Sequence, residues 1–310
     1  MNTKSFFLVV LLLCSATQYA QYTDLINANR PGKSVSAFSV GKTVIQAEGG
    51  LYGIHEQHDL KRYMANGYGT ELSLRYGAIF EQLEFNLDSQ YQYDWYQAPL
   101  VDDTRGGFKQ FVVGAKYLIY DPFLKLNDKP NVYSWNANHK FNWKDFIPAV
   151  AIYGGLNLRF GINPYTFKED PMISPKIMLI TQNQFGAKWV LVTNIIADKF
   201  TTKYPSLGII ATMTRGFNMR WSGFLEAQGY KSDFYADTVL RTGAAYLVRE
   251  NIQLDASISK NIKNTPDILY GGIGLSWRFD SDYQTDYVRV KNKKEKEKKD
   301  KAKKAKRKYN

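Results

Sequence analysis

The residues able to do chemistry in this chain recur beside apolar ones at alternate positions. Glu71 and Arg75 fall in Glu71-Leu72-Ser73-Leu74-Arg75, and Glu84 and Asp88 in Glu84-Phe85-Asn86-Leu87-Asp88. Glu226 and Asp255 follow the same rule, in Leu225-Glu226-Ala227 and Leu254-Asp255-Ala256. With Glu48, Lys116, Arg159, Arg220, Arg241 and Arg278 they make a set in which both signs are well represented. Gathered on one enclosed face, such groups can do two things. They can form an ion-pair and hydrogen-bond network in which each charge offsets its neighbour's desolvation, or a polar constriction that selects solutes. The spacing suits both, and the network is the simpler expectation.

Catalysis finds less support. The three histidines are His55, His58 and His139. A hydrolytic nucleophile needs a serine activated by a histidine that is itself oriented. No histidine here stands on an expected strand with a serine two positions away. His55-Glu56-Gln57-His58 has a three-residue spacing that a metal could use, but a solvated loop explains it more simply, and Asp102-Asp103 lacks the pattern of a calcium loop. No catalytic residue, metal ligand or cofactor is assigned.

The elements that would hold the charged set are strands. Twelve segments read as strands, near 42–54, 67–79, 81–94, 109–120, 147–160, 173–183, 187–198, 205–215, 218–230, 236–248, 251–260 and 268–279. Successive side chains of a strand point to opposite faces. Leu83, Phe85 and Leu87 therefore oppose Glu84, Asn86 and Asp88, and Ile252, Leu254, Ala256 and Ile258 oppose Gln253, Asp255 and Ser257. Segment 173–183 is less regular, because Met178, Leu179 and Ile180 are consecutive. No apolar stretch after the amino terminus approaches the ~20 residues of a membrane helix. Two-faced segments of about ten residues are the signature of a transmembrane barrel, which must close because lipid cannot satisfy a sheet edge. The expected fold is all-β: an antiparallel up-and-down barrel of about twelve strands over 42–279, with the charged set facing the lumen and the last strand ending on Phe279. A soluble sandwich fits charges on one face of nearly every strand poorly.

The ends carry other signals. Lys4, an apolar run from Phe6 to Leu13 and the small and polar residues after it read as a secretory signal peptide over 1–20. Cys14, the single cysteine, resembles a lipid-anchor position, but Leu13 stands where a small residue is preferred. At the other end, Arg289 to Asn310 hold thirteen Lys or Arg against three acids, so +10 of the chain's +12 lies there. Such blocks are disordered as a rule, and the 280–310 tail is expected in the periplasm. Its Lys293, Lys294, Lys298, Lys299, Lys303, Lys304 and Arg307 could meet anionic lipid or an acidic protein partner. A signal peptide and a membrane body argue against nucleic acid.

With both termini in the periplasm, the short turns 78–82, 184–187, 215–218 and 249–251 lie inside. The loops 55–66, 95–107, 161–172 and 231–235 lie outside, as barrels show. A long connection, 121–146, with Trp135, His139 and Trp143, breaks the pattern on the periplasmic side. Segment 21–41 precedes the barrel, and the part from Asn27 to Ser36, with Arg30, could fold into the lumen as a plug.

The order of short motifs adds a resemblance. Asn29-Arg30-Pro31, Gln46-Ala47-Glu48-Gly49-Gly50, Glu71-Leu72-Ser73-Leu74-Arg75-Tyr76-Gly77, Gly114-Ala115-Lys116-Tyr117, Val192-Thr193-Asn194, Glu226-Ala227-Gln228-Gly229, Arg241-Thr242-Gly243 and Gln253-Leu254-Asp255 follow one another along the chain. This resembles the outer-membrane proteins known as phenol-degradation meta-pathway (MetA-like) transporters, over about residues 26–279. The family has an acidic residue ahead of its Arg-Pro where this chain has Ala28-Asn29, and the basic tail and the 121–146 connection look like additions. The resemblance implies an outer-membrane barrel passing small hydrophobic or aromatic solutes. A plugged barrel docking other outer-membrane or periplasmic proteins through its tail is the alternative.

Overall fold

A computed structural model of the protein describes residues 26, 28–122, 146–161, 163–166, 169–186, 188–233 and 235–280. The expected signal peptide, the tail beyond Asp280 and most of the 121–146 connection lie outside the described residues. The alternating segments form twelve strands: β1 Ile45–His58, β2 Tyr63–Gly77, β3 Leu83–Ala98, β4 Val101–Tyr120, β5 Ala149–Leu158 and β6 Ile173–Phe185. After them come β7 Trp189–Asp198, β8 Ser206–Gly216, β9 Trp221–Ser232, β10 Ala236–Arg249, β11 Ile252–Asn261 and β12 Asp267–Phe279. Each pairs antiparallel with its sequence neighbours, and β1 pairs β12 from Ile45↔Phe279 to Gln57↔Asp267, so the sheet closes. Closure leaves no edge for lipid to expose.

The burial pattern is inverted relative to a soluble domain. Glu48, Arg75, Glu84, Lys116 and Asp255 are buried, whereas Leu72, Leu74, Ile152, Leu254 and Ile273 are exposed on the outer wall. Aromatic residues mark the outer wall near the end that carries the strand termini Ile45 and Phe279: Tyr76, Phe85, Tyr117, Trp189, Trp221 and Trp277. Tyr68, Tyr91 and Trp95 mark it further up. Along β2, Tyr76 and Tyr68 are eight residues apart, roughly 26 Å at ~3.3 Å per residue, which fits an apolar band between two aromatic girdles.

Two expected loops are largely strand. Residues 55–66 and 95–107 continue the β1–β2 and β3–β4 ladders, with His58↔Tyr63 and Ala98↔Val101 as the last pairs. His55 and His58 stand on β1 and Asp102 and Asp103 on β4, all four outside the loops expected for them. Past the lipid band the outer face no longer needs to be apolar. Hydropathic alternation therefore fades while the hydrogen-bonded ladder goes on, and β4 reaches 20 residues.

The irregular run at Met178–Ile180 also has a cause. Met178 and Ile180 point inward with Ala149, Ala151, Tyr153, Ile196 and Ile210, forming an apolar inner face on the β4–β8 side. Val35 and Phe38 pack on it from inside the barrel. β6 is thus apolar on both faces over Ile177–Ile180, which erases the two-residue period there.

Candidate functional site: a chain segment bound inside the lumen

Residues 28–40 run through the lumen without joining the sheet ladder, which the chain reaches at Thr43 and Val44 through backbone bonds to Gly77. Buried backbone polar groups must find partners, and here inward-facing side chains supply them. Asn194 accepts from the Val35 amide through Oδ1 at 2.6 Å and donates to its carbonyl through Nδ2 at 2.9 Å. Gln182 Oε1 accepts from the Ala37 amide at 3.1 Å and from the Ser36 hydroxyl at 3.1 Å. Lys116 Nζ donates to the carbonyls of Ser36 and Phe38 at 2.9 and 2.8 Å, and Glu84 accepts from the Val40 amide at 2.9 Å. Nearer the amino terminus, Glu48 accepts from the amides of Asn29 and Arg30, and Glu226 from those of Lys33 and Ser34.

Two ion clusters back these contacts. In the first, buried Arg75 donates to Glu84 at 2.8 Å and to Glu48 at 3.2 Å, and Lys116 lies 3.3 Å from Glu84. In the second, Arg30 pairs with Glu71 at 2.8 Å and with Asp255 at 3.1 Å, and Lys33 reaches Glu71 at 2.6 Å. The Arg30 guanidinium fits because Gly50 and Gly274, opposite each other on β1 and β12, leave a notch in the wall. A Cβ on either would stand within 2.4 Å of its nitrogens. Arg241 lies 3.7 Å from Glu226, which also accepts from the Thr212 hydroxyl at 2.6 Å.

The remaining residues of the charged set are placed as follows. Asp88 is half-buried and accepts from the Ser73 hydroxyl at 2.5 Å. Arg278 is half-buried 3.7 Å from Asp280, at the barrel end near the termini. Arg159 is half-buried just past the end of β5 and lines the cavity described below. Arg220 is not a lumen residue. It precedes β9 in the β8–β9 turn, exposed, with its amide bonded to Asn218 and its guanidinium 3.4 Å from the Tyr246 hydroxyl. The strand starts at Trp221, because Asn218 caps the turn and leaves Arg220 in solvent.

Above this segment lies a cavity of about 440 Å³. Arg30, Lys33 and Val35 form its floor, Lys109, Phe108 and Tyr153 part of its wall, and Asn163 and Tyr165 of the β5–β6 connection its roof. Tyr165 seals one side, donating to Asp94 at 2.8 Å while Asn163 donates to the Phe108 carbonyl. Burial and this bond to a carboxylate push the Tyr165 hydroxyl well above the usual phenol range, so it stays a donor. Tyr153 lies against Gly114 and Gly155, flat on the wall, which keeps the space clear. Lys109 crosses the lumen from β4 to the Tyr270 hydroxyl on β12, at 2.8 Å.

The sequence alone did not single out Lys33, Gln182, Asn194, Lys109 or the glycine notch as functional. The signal for the two amides was present, since Gln182 follows inward Ile180 and Asn194 stands between inward Val192 and Ile196. Among the described residues no group of three or more His, Cys, Asp or Glu is arranged to hold a metal ion.

A family model described as "Putative MetA-pathway of phenol degradation" matches residues 28–279. No curated protein matches the sequence. The crystal structure of an outer membrane channel from Pseudomonas putida F1 is similar at a TM-score of 0.51 and 12% identity, over 80% of this chain and 99% of that one. The translocator domain of the autotransporter NalP from Neisseria meningitidis gives 0.45 at 9% identity, over 76% and 88% of the two chains. The TodX monoaromatic hydrocarbon channel deltaS2 mutant gives 0.44 at 10% identity, over 77% and 90%. At 12% identity the likeness to the Pseudomonas channel is one of fold.

Proposed function

The chain belongs to the family of the MetA pathway of phenol degradation, and from that premise we propose that this outer-membrane barrel is a channel for small hydrophobic or aromatic solutes, closed in this state by its own residues 28–40. The observation that carries the reading is the cavity of about 440 Å³ inside the wall, bounded by the bound segment below and the β5–β6 connection above. Its size suits a small organic molecule, and it offers rings (Phe108, Phe111, Tyr153) beside cations (Lys109, Lys176). Passage requires the segment to shift.

In this reading residues 1–20 direct secretion, both termini lie in the periplasm, and the tall β1–β4 hairpins stand outside. The long connection and the basic tail are then periplasmic. The test is planar-bilayer recording of the full chain beside a variant lacking residues 28–40. The expected result is low or intermittent conductance for the full chain and a steady, larger conductance for the deletion. A barrel that is folded but silent in both forms overturns the channel reading.

A further inference from the structure

The outer wall of β8–β11 carries a trough at the end of the barrel away from the termini. Register places Ile209 of β8 opposite Gly229 of β9, and Gly229 opposite Thr238 of β10. The amide of Ile262, just past β11, donates to the Thr238 carbonyl at 2.9 Å. Across four strands the row therefore reads large, absent, small, large. Ile209 and Ile262 are exposed ridges, roughly 14 Å apart at ~4.8 Å per strand. The row below continues the floor with Ala211 and Ala227. The trough is open and shallow, with a volume of about 560 Å³.

One row above, the chemistry changes. Leu207 pairs with Lys231, and Lys231 with Ala236. Lys263, in the β11–β12 connection, also lines the trough, its ammonium 4.9 Å from the centre of the Tyr235 ring. Both lysines are exposed, and neither makes an ion pair among the described residues. Their neighbour Lys260 differs, being held 3.1 Å from Asp267. The carboxylate that also borders the trough, Asp237, is taken up by Asn261 and Tyr235.

An apolar trough at the upper edge of the lipid band, topped by two ammonium groups without a carboxylate partner among the described residues, has the layout of a lipid. Acyl chains bury against Ile209, Gly229 and Ile262, and a phosphate meets the two lysines, whose stems can snorkel to it. We infer that this trough is a binding site for a phosphate-bearing lipid, and that its occupant is the phosphorylated glycolipid lipid A. The choice of lipid A rests on the orientation proposed above, which puts this end in the outer leaflet. A neutral lipid would leave the two cations without a matching partner, and one phosphate can reach both where a single carboxylate offers fewer oxygens.

The test is native mass spectrometry of the full chain in detergent, titrated separately with bisphosphorylated lipid A, phosphatidylglycerol and phosphatidylcholine. The wild type is expected to retain one lipid A in preference to the other two. Lys231→Ala with Lys263→Ala should weaken retention on the order of tenfold or more, as loss of two charge-assisted contacts implies. Gly229→Leu fills the trough without changing charge and should weaken it as well. Heat-modifiable gel migration verifies that each variant is folded; one that is not is replaced by Lys231→Gln or Gly229→Val. Equal retention of lipid A and phosphatidylcholine, or variants that bind like wild type, overturns the site. Equal retention of phosphatidylglycerol overturns lipid A as its occupant. Binding in detergent does not depend on which way the barrel faces, so protease protection of the β3–β4 hairpin in cells tests the orientation separately.

Discussion

Arg30 and Asp255 form a two-pronged ion pair, Nη2 to Oδ1 at 3.1 Å and Nε to Oδ2 at 3.3 Å, across 225 residues of sequence. It ties a segment that belongs to no strand to the middle of β11. Planar two-point recognition of this kind gives geometric definition that a lysine would not. Asp255 is buried, so the pair also removes the cost of an isolated carboxylate.

Replacement of Arg30 by Ala should therefore loosen the first part of the luminal segment while Lys116, Asn194 and Gln182 still hold residues 35–38. The expected outcome is a rise in open probability in planar bilayers, with the barrel intact. Asp255→Asn should act in the same direction. The double variant should fall short of the sum of the two, because the residues share one interaction. Additive effects, or no change in gating, would count against the pair as a latch.

The glycine notch gives an independent test of the same contact. Gly50→Val or Gly274→Val puts carbon where the Arg30 nitrogens now lie. Both positions face the lumen, so the wall itself has room for the new side chain once Arg30 has moved. Each variant should reproduce the gating change of Arg30→Ala without altering a charge. Wild-type gating would show that the guanidinium can seat elsewhere.

The barrel was legible from the chain because one face of each strand meets lipid and the other does not. Leu83, Phe85 and Leu87 against Glu84, Asn86 and Asp88 leave little choice of face. Legibility failed where that contrast is lost. At Met178–Ile180 the inner face is apolar because Val35 and Phe38 pack on it. At 55–66 and 95–107 the outer face is in water, and the ladder outlasts the pattern. The charged set was readable as inward-facing for the same reason, Arg220 excepted. Its task was not readable, since a carboxylate that binds a backbone amide has the same spacing as one that binds a cation.

Arg75 tests the deep cluster. It is fully buried between Glu48 and Glu84, and Lys116 alone cannot neutralise both. Arg75→Met should destabilise the barrel by about 3–5 kcal/mol, the usual cost of stranding a buried charge. Adding Glu84→Gln should recover part of the loss. Reversible urea unfolding in lipid vesicles measures both. A loss under about 1 kcal/mol would mean that water reaches the cluster and solvates the orphaned carboxylates.

Tryptophan fluorescence tests the placement of the lipid band. Trp189, Trp221 and Trp277 lie on the outer wall at one girdle, and Trp95 at the other. With the remaining tryptophans replaced by Phe, phospholipids brominated near the headgroup should quench both groups more than lipids brominated near the chain ends. Stronger quenching by the deep bromines would shift the band along the strands.

Tyr165 closes the cavity from the other side. Its hydroxyl donates to Asp94 at 2.8 Å and lies 3.1 Å from the Arg105 carbonyl, while the Arg105 guanidinium stands 5.6 Å from its ring and donates to Asp94 at 2.7 Å. Tyr165→Phe keeps the ring and removes the donor, so Asp94 loses one of its partners but keeps Arg105 and Gln92. The cost to overall stability should be small, on the order of 1 kcal/mol. The local effect should be larger, because among the described residues the other bond from a side chain of this connection to β3 and β4 is that of Asn163 to the Phe108 carbonyl. Faster hydrogen exchange confined to 159–172, with protection of the β-ladders unchanged, is the expected outcome. Faster exchange along β3 and β4 as well would show that Tyr165 braces the wall rather than the roof of the cavity.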